Sequence, residues 1–286
     1  VTSKQLTGEL SNWVVGAKAA TFQTLQPDPN NLVQAPYNVL PNITAAYNSQ
    51  LSPVVSDPTG RYLALPSGPK TTFSADYTRF AYALGSNFNA PPPGAYTQAD
   101  RTVVKAGLSL PQITPGYYIT PTVSFQSNTY NATANPAAYT GTSPAAVQGF
   151  TIPTISLDSG LAFERDASEL HGFFGRNMLL TMEPRAFYAY TPYQNQANTP
   201  LFDTADAGFG VSQIFTANTF IGNDRIADTN AATLGLTSRM IESNTGAERA
   251  NVTLAQKQQF TGQKVGLNGN IANPTTYSDT LGSASV

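Results

Sequence analysis

Charged side chains are rare in this sequence, and those that occur close together are the candidates for binding chemistry. Glu183 and Arg185 flank Pro184, and side chains two positions apart share one face of an extended chain. An arginine held by a carboxylate is a frequent partner for phosphate. The same two residues also suit a cross-strand ion pair, for which Glu164 and Arg239 are the available partners. The sequence favours the ion pair and leaves anion binding open.

A second charged group, Asn223–Asp228, ends a long polar segment. It predicts that the segment folds back over the strand ends, with Asp224 or Asp228 capping turns; contact with a partner or a lipid is the alternative. Calcium held by Asp203, Asp206, Asp224 and Asp228 would need several more oxygen ligands, so no metal site is predicted. The candidate contact residues of both groups are Asp158, Glu164, Glu183, Arg185, Asp224, Arg225, Asp228 and Arg239.

Nucleophilic catalysis has little support in the sequence. A Ser-His-Asp triad requires a histidine beside a serine and a carboxylate, but the single histidine, His171, lies in a stretch that resembles a turn. The G-x-S-x-G motif does not occur, and there are no cysteines. We therefore predict no catalytic residue and no cofactor.

Extended segments must position the candidate residues. From Met178 to Tyr190 the even positions are nearly all apolar, while Thr181, Glu183 and Arg185 lie between them. A period of two with one apolar face predicts a strand. Nine segments are predicted to be strands: Ser11–Leu25, Pro36–Gln50, Thr71–Leu84, Arg101–Leu110, Gly116–Tyr130, Phe150–Arg165, Gly175–Tyr193, Asn230–Glu242 and Glu248–Phe260.

The connections between these strands help to identify the architecture. Alternating strands occur both in soluble sandwiches, where the apolar face forms the core, and in transmembrane barrels, where it faces lipid. Tight turns at Leu110–Gly116 and Ser243–Glu248 alternate with the long polar segments Thr129–Gly149 and Gln194–Asp228. Short turns at one end and long loops at the other are typical of an up-and-down barrel. The insertion Ser52–Lys70 lies on the short-turn side and departs from this rule.

Prolines and composition complete the prediction. Pro41, Pro121, Pro153 and Pro184 lie inside predicted strands, where they predict bulges.

Only 11% of the 286 residues are charged, against a usual ~25%. The net charge of −2 gives no electrostatic footprint for nucleic acid. No apolar run reaches the ~18 residues that a spanning helix needs, but spanning strands are short and alternate. The segment Gly262–Val286 is rich in Asn, Gly, Ser and Thr, and it contains no closing aromatic strand.

Four stretches together resemble the C-terminal barrel domain of the LptD family of lipopolysaccharide-assembly proteins, also called organic-solvent-tolerance proteins. The stretches are SLDSGLAFERD (Ser156–Asp166), LTMEPRAFYAYTPYQNQ (Leu180–Gln196), FIGNDRIADTNAATLGLTSRMI (Phe220–Ile241) and TGAERANVTLAQKQQF (Thr245–Phe260). They occur in the order and spacing of the family, over about Phe150–Phe260.

The resemblance implies an all-β, antiparallel, up-and-down transmembrane β-barrel in the Gram-negative outer membrane. This chain would form a partial arc, about nine or ten strands of roughly 26. The family inserts lipopolysaccharide into the outer leaflet, encloses an LptE-type lipoprotein plug, and receives lipopolysaccharide from an LptA-type periplasmic bridge. We expect the N-terminal jellyroll, the barrel-closing strands and the family's disulfides to lie outside residues 1–286. The alternatives are a diffusion porin, an outer-membrane hydrolase that uses His171, and a soluble β-sandwich.

Overall fold

The structure of the chain is a computed structural model. It describes residues 2–10, 12–22, 36–49, 55–56, 62–64, 68–82, 96–134, 149–167, 169, 172, 175, 177–271 and 274–285. His171 lies outside the described residues, as does most of the insertion Ser52–Lys70. Among the described residues, no helix is both long enough and apolar enough to cross a membrane.

Strands make up most of the fold. In chain order they are β1 (Thr2–Leu10), β2 (Trp13–Thr21), β3 (Asn38–Asn48), β4 (Val55–Ser56), β5 (Tyr62–Ala64), β6 (Lys70–Ala81), β7 (Tyr96–Ser109), β8 (Gln112–Ile113), β9 (Tyr117–Ala134), β10 (Phe150–Leu161), β11 (Phe163–Asp166), β12 (Met178–Thr191), β13 (Ala205–Asp206), β14 (Phe220–Ile221), β15 (Thr229–Glu242), β16 (Glu248–Gln259), β17 (Val265–Gly266), β18 (Gly269–Asn270) and β19 (Ser278–Ser285). One short helix, α1 (Val211–Ile214), lies between β13 and β14.

Thirteen of these strands form one antiparallel sheet. Its main path follows the chain, in the order β1-β2-β3-β6-β7-β9-β10-β12-β15-β16-β19, with β8 beside β9 and β11 beside β12. Each strand thus pairs with the next long strand along the chain, which is the up-and-down connectivity that the turns predict. The pairs β4-β5, β13-β14 and β17-β18 are separate two-stranded sheets within the connections.

All nine predicted segments contain a long strand of this sheet, with shifted ends. The sequence prediction missed both outer strands of the main path, β1 and β19. No strand was predicted after Phe260, because Ser278–Ser285 has a single large apolar residue, Leu281, and therefore shows no alternation. The predicted loop Thr129–Gly149 begins later than expected, because β9 continues to Ala134.

The two faces of the sheet have opposite surroundings. On the face that we call the apolar face, large side chains are exposed, including Leu234 (66% exposed), Ile155 (51%) and Phe125 (50%). On the opposite face, the polar face, Arg101 and Thr233 are each 1% exposed. Side chains are therefore buried on the polar side, where chain connections cover the sheet, whereas the apolar side is uncovered.

The predicted bulges occur at one of the four prolines. The register of β3 shifts against both neighbours around Pro41. At Pro121, Pro153 and Pro184 the strand keeps its register with one neighbour, while the ladder to the other neighbour is interrupted or has not yet begun. Proline has no N–H to donate, so a gap in one ladder accommodates it without an extra residue. The prediction of bulges at these three prolines is wrong.

Candidate functional site

The connection between β12 and β15, residues 192–228, lies against the polar face of the sheet. We call it the inner loop. The Thr233 hydroxyl of β15 donates to the carbonyl of Ile214 at 2.9 Å, and Lys257 Nζ of β16 donates to the carbonyl of Thr216 at 3.1 Å. Ile214 and Phe215 of the loop pack with other apolar side chains of the polar face: Ala255, Leu281 and Phe187. The predicted loop is therefore packed onto the sheet.

A buried arginine of β7 forms ion pairs with the inner loop. Arg101 Nη1 lies 2.6 Å from Asp203 Oδ1 and 2.7 Å from Asp224 Oδ1, and Nη2 lies 2.7 Å from Asp203 Oδ2. The guanidinium also lies 4.9 Å from the ring centroid of Phe80. The side chain of Arg101 is 1% exposed and that of Asp224 is 0% exposed. Such buried charges are tolerated only when they are paired and hydrogen-bonded. The pairing therefore fixes the position of the inner loop on the polar face.

The two aspartates in this cluster differ in their electrostatics. Burial raises the pKa of Asp224, although the nearby Arg101 opposes this rise. Burial also acts to raise the pKa of Asp203, but its hydrogen bond and charge interaction with Arg101 outweigh burial and lower that pKa overall. Asp224 additionally accepts the backbone amides of Phe202 at 2.7 Å and Asp203 at 3.0 Å. Asp203 is thus the carboxylate whose negative charge Arg101 stabilises most directly.

Arg225 and Asp228 organise the inner loop and join it to the loop that follows β16. Arg225 donates to the carbonyls of Thr199 at 2.8 Å and Leu267 at 3.1 Å, and burial lowers its pKa. Asp228 accepts the backbone amides of Lys264 at 2.9 Å and Val265 at 2.8 Å. These contacts agree with the interpretation of Asn223–Asp228 as a group that caps turns. Contact of Asp224, Arg225 or Asp228 with lipid or a partner stays a prediction.

The four aspartates considered for calcium differ in their contacts. Asp203 and Asp224 pair with Arg101, Asp228 accepts backbone amides, and Asp206 is exposed. Within the described ranges, no group of three or more His, Cys, Asp or Glu is placed to hold a metal ion. These four carboxylates are therefore not gathered into one group.

The first charged group also lies on the polar face, on the neighbouring strands β10, β12 and β15. Arg185 makes a bidentate pair with Asp158, at 2.9 and 2.7 Å. Arg239 lies 3.4 Å from Glu183 and 3.7 Å from Glu248. The predicted cross-strand ion pair between Glu183 and Arg239 is present.

The sequence offered Glu164 as a partner for Arg185, but Arg185 pairs with Asp158 instead. Glu164 lies opposite Thr181 on β12, whereas Asp158 lies opposite Phe187, only two positions from Arg185. The shorter offset explains why Asp158 is the partner. Glu164 is exposed, and a role for it in binding stays a prediction.

Sequence reasoning missed the residues that attach the loop to the wall. Arg101 lies on the polar face of a predicted strand, which the alternation of that strand could have shown. Its partner Asp224 is 123 positions away, and no local pattern connects the two. The same holds for Lys105, whose Nζ donates to Asn223 Oδ1 at 2.8 Å.

A continuous antiparallel sheet with an uncovered apolar face and a polar face that holds its own long loop defines the wall of a transmembrane β-barrel. The family described as LptD, LPS transport system D, matches residues 2–286. The chain belongs to this family. Membership confirms the predicted fold class and the outer-membrane location.

Curated relatives agree with this assignment and are much longer than the chain. The LPS-assembly protein LptD of Cupriavidus metallidurans is 42% identical over 278 residues, which are 96% of this chain and 30% of that protein. The LptD of Ralstonia nicotianae is 38% identical over 284 residues, 98% of this chain and 31% of that protein. That of Paraburkholderia xenovorans is 36% identical over 277 residues, 96% and 31% of the two chains. The chain thus spans about a third of the length of these relatives.

Proposed function

We propose that this chain is an arc of the outer-membrane barrel that delivers lipopolysaccharide to the outer leaflet. The observation that carries the proposal is the family match over residues 2–286, on a sheet whose exposed face is apolar. An apolar outward face suits acyl chains, whereas a charged residue at bilayer depth on that face would cost roughly 2–4 kcal/mol. The charged candidates Asp158, Glu183, Arg185 and Arg239 lie on the opposite face, which is the lumen in this proposal.

The partners follow from the same proposal. An LptE-type lipoprotein would occupy the part of the lumen that the inner loop leaves uncovered, and the exposed Glu164 is available to it there. An LptA-type periplasmic bridge would supply lipopolysaccharide through a domain outside residues 1–286. The candidate residues Asp224, Arg225 and Asp228 act in this arrangement by holding the inner loop in place.

Depletion of the full-length protein in its own Gram-negative host tests the proposal. We expect lipopolysaccharide to disappear from the cell surface, measured with an antibody to its sugar chain, and to accumulate in the inner membrane. Re-expression from a plasmid should restore surface lipopolysaccharide. A normal distribution of lipopolysaccharide after depletion would refute the proposal.

A second measurement separates transport from passive diffusion. The full-length protein, purified together with its lipoprotein plug and placed in planar bilayers, should show no steady open-pore conductance, because the plug and the inner loop together would fill the lumen. A large constant conductance would indicate the porin alternative instead.

A further inference from the structure

A cavity of about 630 Å³ lies between the inner loop and the polar face. This volume falls within the ~300–1,000 Å³ that is usual for small-molecule sites. It is lined by residues of β9, β10, β12, β15, β16 and β19, by Thr114 and Pro115 before β9, and by Val211 and Phe215 of the inner loop. The side chains available to a ligand there include Tyr118, Glu183, Arg239, Glu248, Asn251 and Ser283.

Two aromatic rings lie directly on the backbone of the wall beside the cavity. A Cβ on Gly160 would be 2.5 Å from Tyr118 Cε1, and a Cβ on Gly235 would be 2.5 Å from Phe215 Cζ. Both rings therefore lie over glycines, where no side chain separates them from the sheet. The Phe215 ring is covered by Arg185, whose guanidinium carbon is 4.3 Å from the ring centroid. Tyr118 is only half-buried, and its ring remains as an apolar surface at the cavity.

The charges of the cavity are already balanced by one another. Arg185 is bound by both oxygens of Asp158, and Arg239 is within 4.0 Å of the carboxylates of Glu183 and Glu248. Counting two arginines against these three carboxylates gives a local charge of −1. An incoming phosphate would meet this excess of carboxylates, so it would be repelled.

The cavity nevertheless keeps many hydrogen-bonding groups. The contacts of Arg239, at 3.4 and 3.7 Å, are longer than the direct hydrogen bonds that Arg185 makes, and an arginine has five N–H donors. Asn251 donates one amide hydrogen to Glu248 and the hydroxyls of Thr237 and Thr253 bond to each other, so the cavity offers the Asn251 amide oxygen, the Ser283 hydroxyl and the remaining lone pairs of the two threonines. A neutral ligand with many hydroxyl groups could use such donors and acceptors without burying a new charge.

We propose that this cavity binds an uncharged saccharide, with Tyr118 as the apolar platform and Glu183, Arg239 and Asn251 as hydrogen-bonding partners. The inference rests on the proposed function, since lipopolysaccharide carries the sugar. It assigns the neutral sugar units to this part of the wall and places the phosphate groups elsewhere. It also replaces the phosphate-binding alternative for Glu183 and Arg185.

The test uses the full-length protein in lipid nanodiscs and a neutral oligosaccharide prepared from lipopolysaccharide by removing lipid A and phosphate. Binding is measured by saturation-transfer NMR. Ser283→Trp fills the cavity and should raise the dissociation constant at least tenfold. Ala284→Trp places the same ring on the apolar face of the same strand and should change it less than twofold. Asn251→Ala, which removes an amide and adds no bulk, should weaken binding at least threefold.

Three results would overturn the proposal. They are unchanged sugar binding in both Ser283→Trp and Asn251→Ala, displacement of the oligosaccharide by inorganic phosphate at equal concentration, and capture of a lipoprotein rather than sugar by a photoreactive side chain introduced at Asn251. If depletion removes surface lipopolysaccharide but the oligosaccharide does not bind, this inference fails and the proposed function stands. If depletion has no effect, the proposed function fails independently.

Discussion

At the scale of single residues, burial separates two arginines that make similar ion pairs on neighbouring strands. Arg101 is buried on the polar face and pairs with Asp203 and Asp224. Arg79 makes a bidentate pair with Asp100, at 2.7 and 3.1 Å, but its side chain is 42% exposed. Removing one partner of a buried pair leaves an uncompensated charge, whereas the Arg79–Asp100 pair lies on the apolar face, the side of the sheet away from the inner loop. The two positions should therefore respond very differently to the same substitution.

We expect Arg101→Gln to loosen the inner loop. The substitution leaves Asp203 and Asp224 without their cation, and breaking a buried pair in this way typically costs about 3–5 kcal/mol. Hydrogen exchange of peptides within residues 192–228, measured by mass spectrometry on the full-length protein, should become at least a hundredfold faster. Arg79→Gln is the matched control and should leave this exchange nearly unchanged. Equal effects of the two substitutions would contradict the importance of the buried pair.

Acid should release the same contact only well below neutral pH. Arg101 lowers the pKa of Asp203, and a lowered pKa stabilises the folded state above the ordinary carboxyl value of about 3.9. That stabilisation is lost as the pH falls through the lowered value. Asp224 has a raised pKa, so its protonation opposes this loss.

We therefore predict constant protection of the inner loop from pH 7 to pH 5, and loss of protection below about pH 4. Intrinsic-rate-corrected hydrogen exchange across this range is the measurement. Asp203→Asn should remove the acid-sensitive part. Loosening between pH 7 and pH 5 in the unsubstituted protein would show that Asp203 does not control the contact.

At the scale of elements, two loops are joined through one carboxylate. Asp228, at the end of the inner loop, accepts the amides of Lys264 and Val265 just after β16. Charged acceptors of this kind contribute about 1.5–3 kcal/mol each, more than neutral ones. The two connections should thus open together or not at all.

Asp228→Asn should weaken this junction, because a neutral amide with one acceptor oxygen replaces two charged oxygens. We expect exchange of the Lys264 and Val265 amides to become roughly tenfold faster, measured by NMR or by mass spectrometry of short peptides. Asp206→Asn, at an exposed aspartate of the same loop, is the control. If both substitutions had the same effect, the amide contacts would not explain the stability of the junction.

At the scale of the whole molecule, the sequence predicts the wall much better than what lies against it. Nine strands were predictable because lipid and lumen impose alternation over their full length, as in Met178–Thr191. β19 was not, since it contains one large apolar residue, Leu281. That side chain faces the inner loop and packs with Ile214 and Phe215.

The candidate site was predictable only in part, for a related physical reason. The pair Glu183–Arg239 joins neighbouring strands, and the alternation of each strand places both side chains on the polar face. The contact of Arg101 with Asp224 depends on how a loop of more than thirty residues folds back over several strands. Side-chain alternation constrains a strand, but it carries no information about where an irregular loop returns.

The orientation of the faces is the property on which the whole arrangement depends, and adjacent residues of β9 can test it. Phe125 lies near the middle of this strand on the apolar face and is 50% exposed. Ser124 precedes it on the polar face, with its hydroxyl 3.5 Å from the carbonyl of Thr154.

If the apolar face meets acyl chains, Phe125→Arg should destabilise the barrel by roughly 2–4 kcal/mol, because the charge would lie at bilayer depth. Ser124→Arg places the same charge toward the hydrated lumen and should cost much less. Urea unfolding of the full-length protein in lipid vesicles, followed by its heat-modifiable gel mobility, measures both. A larger loss from Ser124→Arg than from Phe125→Arg would mean that the polar face is the one in contact with lipid.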